Sequence, residues 1–315
     1  WSLFRNPQKA HLHLLMAAFE GDADGWRLAQ RGWDAMEKMQ ARSDDGRVFL
    51  PGEYRFASTQ HDTIAMFGLQ WLYLHVADPI RDEPIERLGT RHLESGGLVL
   101  HRTPRAFVTL SYGAKVMAQV AALRLDRIIS PDQRSLIGSV SISGEKRQPV
   151  PKVSSVDLNV EDDQFTAALQ VNHGPTVQAN LVFRTEPDGT LHIHERLVAV
   201  GDVTISRVAT GAIAVLNNSQ WIYETGRRTL RLDDGSTVIP AHSGKTLACE
   251  ASCIMIDDAM TITSDAPLRC RYFASTGPER GRATDRLYLN YVDVKKTWQA
   301  GETISQYSAA IRVGR

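Results

Sequence analysis

The spacing of hydrophobic positions changes near residue 95. Before it, apolar residues recur every three or four positions: Leu12, Leu15, Met16 and Phe19 follow Pro7, and Trp26, Ala29, Trp33, Met36 and Met39 come next. This spacing lines up one apolar face and predicts two amphipathic helices, each closed by a Gly–Asp cluster. A third helix is expected over 63–76, where Ile64, Phe67, Leu69, Trp71, Leu72 and Leu74 are apolar nearly all round, as in a buried helix. Asp78-Pro79 and Glu83-Pro84 end it, because a residue before proline leaves the helical region. The three read as successive hairpins of a larger helical array.

From Gly96 onward the period is two. Leu98 and Leu100; Phe107, Thr109 and Ser111; Val156, Leu158 and Val160; Phe165, Ala167, Leu169 and Val171; and Val177, Ala179, Leu181 and Phe183 all alternate with more polar neighbours. Turn chemistry separates the runs at His173-Gly174-Pro175, Glu186-Pro187-Asp188-Gly189, Asp233-Asp234-Gly235 and Ser275-Thr276-Gly277-Pro278. Many strands without intervening helices predict an antiparallel sandwich of two sheets. The expected class is α+β, with a helical region over 1–90 followed by an antiparallel β-sandwich over 91–315. No fixed-period repeat or low-complexity tract interrupts the pattern.

Composition narrows the function classes. The 315 residues carry 36 basic and 36 acidic side chains, so no whole-protein field draws in nucleic acid. At 43% hydrophobic and 23% charged, the chain is of globular type. Its longest apolar stretches, around Leu12–Phe19 and Ile64–Val76, fall short of the roughly 18 residues of a membrane span. The chain opens on Trp1 with no signal-type run, so it is expected to be a processed or internal part of a longer protein. An upstream helical region or a partner chain should then cover its helices. Of the three cysteines, Cys249 and Cys253 share a strand face but lie about 13 Å apart at ~3.3 Å per residue, too far for a disulfide. GxGxxG, P-loop, GxSxG and HExxH motifs are absent, which speaks against nucleotide binding and serine hydrolysis.

The densest polar cluster is Gly52-Glu53-Tyr54-Arg55-Phe56-Ala57-Ser58-Thr59-Gln60-His61-Asp62. A loop beside a rigid helix start can bring a base, an acid and a carboxylate clamp together. The alternative is ordinary capping, with Ser58 or Thr59 as N-cap and Asp62 in the first turn. Capping does not call for Tyr54, Arg55 and His61 together.

Helical hairpins, a Gly46-Arg47-Val48-Phe49-Leu50-Pro51…Tyr54…His61-Asp62 helix start, and a long antiparallel region resemble the heparinase and alginate lyase families of polysaccharide lyases. Those proteins join an incomplete α/α toroid to a β-sandwich, and the resemblance implies that this chain is the C-terminal part of one. An Asn-His pair is common there, whereas Gln60 precedes His61 here. The resemblance implies a secreted or periplasmic enzyme that cleaves a uronic-acid-containing polysaccharide by β-elimination. That reaction needs a group to neutralise the uronate carboxylate, a base for the C5 proton and an acid for the leaving oxygen. Tyr54, Arg55 and His61 fill these roles: a Tyr beside a cation serves as base and acid, and Arg or His neutralises the carboxylate. Gln60 would contact substrate, and no cofactor is required.

Further candidates lie downstream. The stretch from His101 to Arg134 holds six Arg or Lys against two Asp, a surplus of four positive charges that suits an anionic glycan, with His101, Arg105 and Tyr112 as contacts; a solvated strand face is the alternative. Trp221 could stack on a sugar ring, as could Tyr223. His192 and His194, two apart on a strand, share a face and could reach one divalent ion, zinc or calcium, given a third ligand; the alternative is a pair of surface histidines. His11 and His13 are a weaker pair, since residues two apart on a helix diverge. Two other functions fit the composition: a glycoside hydrolase with a helical barrel, using Glu53 and Asp62 as paired carboxylates, or a non-catalytic glycan-binding protein.

Overall fold

The structure, a computed structural model, describes residues 88–113, 116–122, 129–131, 139–142, 151–216, 225–276 and 284–313. The chain divides into two compact units, Trp1–Glu86 with Pro278–Arg282 and Arg87–Gly277 with Ala283–Arg315, and the described residues belong to the second.

That unit begins with strands β1 (Gly89–Leu93), β2 (Leu98–Arg102), β3 (Ala106–Ser111) and β4 (Met117–Ala122), hydrogen-bonded in that order into a four-stranded sheet. Short strands β5 (Ile129–Pro131) and β6 (Ser139–Ile142) follow, then β7 (Lys152–Val160), β8 (Phe165–His173), β9 (Val177–Thr185) and β10 (Leu191–Ala199). The remaining strands are β11 (Val203–Leu216), β12 (Arg227–Leu232), β13 (Gly235–Pro240), β14 (Thr246–Ile256), β15 (Met260–Phe273), β16 (Thr284–Trp298) and β17 (Thr303–Val313). The larger sheet has thirteen strands, with a main path β13-β12-β14-β15-β17-β10-β9-β8-β7. A side branch leaves it at β15 through β16 to β11, which also pairs with β5 and β6.

The α+β class is therefore corrected. Among the described residues every strand pairing is antiparallel, and between the strands a 3-10 turn covers Glu94–Gly96. From Thr90 to Val313 each described strand pairs with at least one antiparallel neighbour. The helical hairpins and toroid were expected over 1–90, of which residues 1–87 lie outside the described residues. No helix among the described residues is long and apolar enough to cross a membrane.

One apolar core serves both sheets, running from Val99, Val108 and Val120 to Phe165, Leu181, Ile213, Ile262 and Ile311. In β8, β9 and β10 the buried positions are the alternating ones: Phe165, Ala167, Leu169 and Val171, then Val177, Ala179, Leu181 and Phe183. In β2 and β3 the alternation holds but its phase is opposite to the Leu98/Leu100 and Phe107/Thr109/Ser111 reading. Val99 and His101 of β2 and Ala106, Val108 and Leu110 of β3 face inward. The 186–190 turn follows its sequence chemistry: Gly189 takes φ 89°, its amide donates to Glu186 O (2.9 Å), and Thr190 N donates to Asp188 Oδ1 (2.9 Å).

Candidate functional site

The long strand β15 changes partner along its length. Its first residues, Met260–Thr263, pair with β17, and its last, Arg271–Phe273, pair with β16. Between them Leu268–Cys270 keep only β14 as a strand partner, and Ser264–Pro267 pair with no described strand. Pro267 sits in this stretch, and a residue without an amide donor suits a strand edge that has no partner. Beyond the fork, β17 runs on beside β10 and β16 beside β11.

The gap is a cleft of about 360 Å³, lined from β15 by Ser264 and Ala266–Arg269, from β16 by Asn290, Lys296 and Trp298, and from β17 by Ile304–Ser308. Its wall carries a cation on an aromatic ring: Lys296 Nζ lies 3.9 Å from the Trp298 ring centroid. Two of its hydroxyls, Ser305 Oγ and Tyr307 OH, are buried and have no hydrogen-bond partner among the described residues.

A polar island sits beneath. Glu195 of β10 stands opposite Tyr307 in the β10–β17 register, and both are buried. Gly211 of β11 adopts φ 64°, and a Cβ there would fall 2.6 Å from Tyr307 OH, so glycine is what gives that hydroxyl room. Asn290 Nδ2 donates to Thr210 Oγ1 (3.3 Å). Neither carboxylate oxygen of Glu195 has a hydrogen-bond partner among the described residues; burial pushes the acid up to about 8, while the Thr210 hydroxyl opposes that shift from short of bonding geometry. Burial, with Glu195 next in effect, also raises Tyr307 well above an ordinary phenol. A Tyr that serves as a base needs the opposite shift, so this pair holds protons at neutral pH instead of abstracting them.

A second buried cluster is fully paired. Arg228 NH1 bonds Asp257 (2.5 Å), Arg228 Nε bonds Asp285 (3.2 Å), Tyr272 OH donates to Asp285, and the amides of Thr229 and Ser275 donate to Asp257 (2.8 Å) and Asp285 (2.7 Å). All three charged side chains are at most 2% exposed, and the network ties β12 and the β14–β15 turn to β16.

Tyr54, Arg55, Gln60, His61 and Trp221 lie outside the described residues, as do Glu53 and Asp62. His101 is buried: its Nδ1 bonds the Thr90 hydroxyl (3.0 Å), and burial lowers its pKa. Arg105 is exposed in the β2–β3 turn, and Tyr112 bonds His92 Nε2 through its hydroxyl (2.6 Å). His192 and His194 take separate partners, Glu186 at 2.8 Å and Ser308 at 2.8 Å, and no group of three or more His, Cys, Asp or Glu placed to hold a metal occurs among the described residues. Ser308 lines the cleft, which puts His194 beside its rim. Glu195 went unremarked from sequence, although it occupies the inward phase of Leu191, Ile193 and Leu197.

No protein-family model and no curated protein matches the sequence. Solved structures similar to it include the GH36 α-galactosidase AgaB from Geobacillus stearothermophilus, at 11% identity and TM-score 0.49 over 71% of this chain and 40% of that one. Heparinase III is similar at 11% identity and TM-score 0.43, over 80% of this chain and 41% of that one. Heparan sulfate lyase HepC from Pedobacter heparinus follows at 8% identity and TM-score 0.40, over 98% and 59%. The chain thus spans about two fifths of the length of the first two. These neighbours are carbohydrate-active proteins.

Proposed function

We propose that the protein acts on an acidic, uronic-acid-containing glycan and that the cleft at β15 holds it. The observation that carries this reading is the cleft wall, where the Lys296 ammonium lies on the Trp298 ring and 3.9 Å from Glu302 Oε1, among the polar residues Asn290, Gln306 and Ser308 of the lining. A pyranose ring offers C–H groups to an aromatic face, hydroxyls to polar side chains and a carboxylate to an ammonium, so this set suits a uronate better than a neutral sugar. Calorimetric titration with a uronate oligosaccharide and its neutral counterpart tests it. The acidic ligand should bind more tightly, and Lys296→Met should abolish the preference; equal binding of both ligands contradicts the reading.

The reaction we assign is β-elimination, and its support is the residue set Tyr54, Arg55 and His61. Arg55 and His61 hold the carboxylate, while Tyr54 takes the C5 proton and returns it to the leaving oxygen. Elimination leaves an unsaturated uronate, so ultraviolet absorbance should rise as the polymer is cut, and Tyr54→Phe should lower the rate ~10²–10⁴-fold with folding intact. New reducing ends without absorbance would mean hydrolysis, and binding with neither signal a non-catalytic glycan-binding protein.

A further inference from the structure

We propose that Cys249 and Cys270 form a peroxide-reactive dithiol that closes into a cross-strand disulfide. The two residues face each other directly in the β14–β15 register. Ala274 N donates to Lys245 O (2.8 Å) at the head of the same ladder, and counting by twos along the strands places Cys249/Cys270 in the hydrogen-bonded class of pairs. Cα atoms in that class are ~5.5 Å apart, inside the ~4.4–6.8 Å that a disulfide spans, and the Cβ atoms, ~5.5 Å apart, close by about 1 Å or more to reach the ~3.5–4.5 Å of the bond. Residues directly opposite in a ladder share a face, so the two thiols are neighbours on one side of the sheet. Both are free thiols. Cys253 opposes Thr263 and has no cysteine across from it.

The pair is asymmetric in a way that orders the chemistry. Cys249 is half-buried, and the Cys270 thiol across from it favours its thiolate; Cys270 is buried, and Cys249 with desolvation keeps it protonated. Cys249 thiolate attacks one oxygen of hydrogen peroxide: the S–O bond forms, the O–O bond breaks, and hydroxide leaves with a proton as water. Cys270 sulfur then attacks the sulfenic sulfur: the S–S bond forms, the S–O bond breaks, and the departing hydroxide takes the Cys270 proton as a second water. Two thiols lose two electrons in all, and one peroxide becomes two waters. The Cys270 thiol donates to Leu289 O (3.7 Å), next to Asn290 and Arg269 of the cleft. Oxidation removes that donor at the point where β16 leaves β15, and this holds whatever ligand the cleft takes.

The test is to treat the full chain with a slight excess of hydrogen peroxide, unfold it, count thiols with a maleimide, and map the non-reduced peptides. The count should fall from three to one, with Cys253 as the survivor and a single intrachain Cys249–Cys270 link. Cys249→Ser should prevent that link and Cys253→Ser should not. A link through Cys253, a disulfide between chains, retention of all three thiols, or the same link formed equally in chain unfolded before oxidation would overturn the proposal. The wild-type peptide map decides the matter even if a buried Cys270→Ser variant fails to fold.

Discussion

The β7–β10 meander and the fork at β15 are built from the same alternating code and bury different chemistry. In the meander, strands of nine residues keep their partners along most of their length, and the inward positions of β8 and β9 are apolar apart from His173 and Thr185 at their ends. Around the fork, β11, β15 and β16 run to 14 or 15 residues and change partners, and the interior takes in Arg228, Asp257, Asp285, Thr210, Asn290, Cys270 and Tyr307. Glu195 stands where the two meet, on the meander strand that borders β17. A strand with one partner on each side satisfies its own backbone and leaves the interior to hydrophobic packing. Where strands part, side chains must supply the missing hydrogen bonds, and polar groups follow.

The comparison is broken most strongly by removing a charge from the fork. Asp285→Ala leaves Arg228 buried with one fewer partner and should cost about 3–5 kcal/mol in urea unfolding. An Asp285→Ala protein as stable as wild type would mean that the network is solvated and the contrast false. In the meander the corresponding test is a cavity. Leu181→Ala, at 1% exposure, should cost about 2–5 kcal/mol through lost burial and the space left behind, with little dependence on pH.

The ionisable groups buried in each region sharpen the contrast, because their signs oppose. Burial depresses His173 in the meander to about 4 and raises Glu195 to about 8. A folded-state pKa below the unfolded value means that the unfolded chain binds the extra proton, so His173 makes stability fall as pH drops from about 6.5 towards 4. For Glu195 the folded chain binds the extra proton, so stability falls as pH rises from about 4.5 to 8 and levels off above. Glu195→Gln should therefore raise the melting temperature most above pH 8, by the equivalent of roughly a few kcal/mol, and leave the acid limb in place. His173→Gln should flatten the acid limb instead; if either change altered the other limb, burial would be the wrong cause. The smallest effect belongs to the cleft wall, where Lys296→Met should weaken uronate binding about 2- to 5-fold, the equivalent of ~0.5–1 kcal/mol for an ion pair at an exposed lysine, and lower stability by no more than the lost contact with Trp298.

Much of the meander was legible in the residues. Phe165 to Phe183 alternate with the phase that the core uses, and the 186–190 turn uses the Asp and Gly that its chemistry requires. In β2 and β3 the same kind of pattern has the opposite phase. Leu98 and Leu100 are as apolar as Val99, and His101 is buried, so composition alone does not mark the inner face. Of the candidate site, Tyr54, Arg55 and His61 rest on the sequence, whereas Lys296, Trp298, Ser305 and Tyr307 met only in space. Glu195 carried a signal, a charge in an apolar phase, that gains meaning once Tyr307 stands across from it.

Taken alone, the sequence determined where strands run and where they turn, because side-chain alternation and turn conformation are decided by residues a few positions apart. Only the tertiary structure decided that β15 would divide its pairing between β16 and β17, that Cys249 would oppose Cys270 and not Cys253, and that Arg228 would meet carboxylates 29 and 57 residues away. Register between strands comes from the packing of whole faces against one another. A one-residue slip would exchange every inward side chain for its neighbour, and that energy belongs to the assembled sheet and to no local stretch of chain.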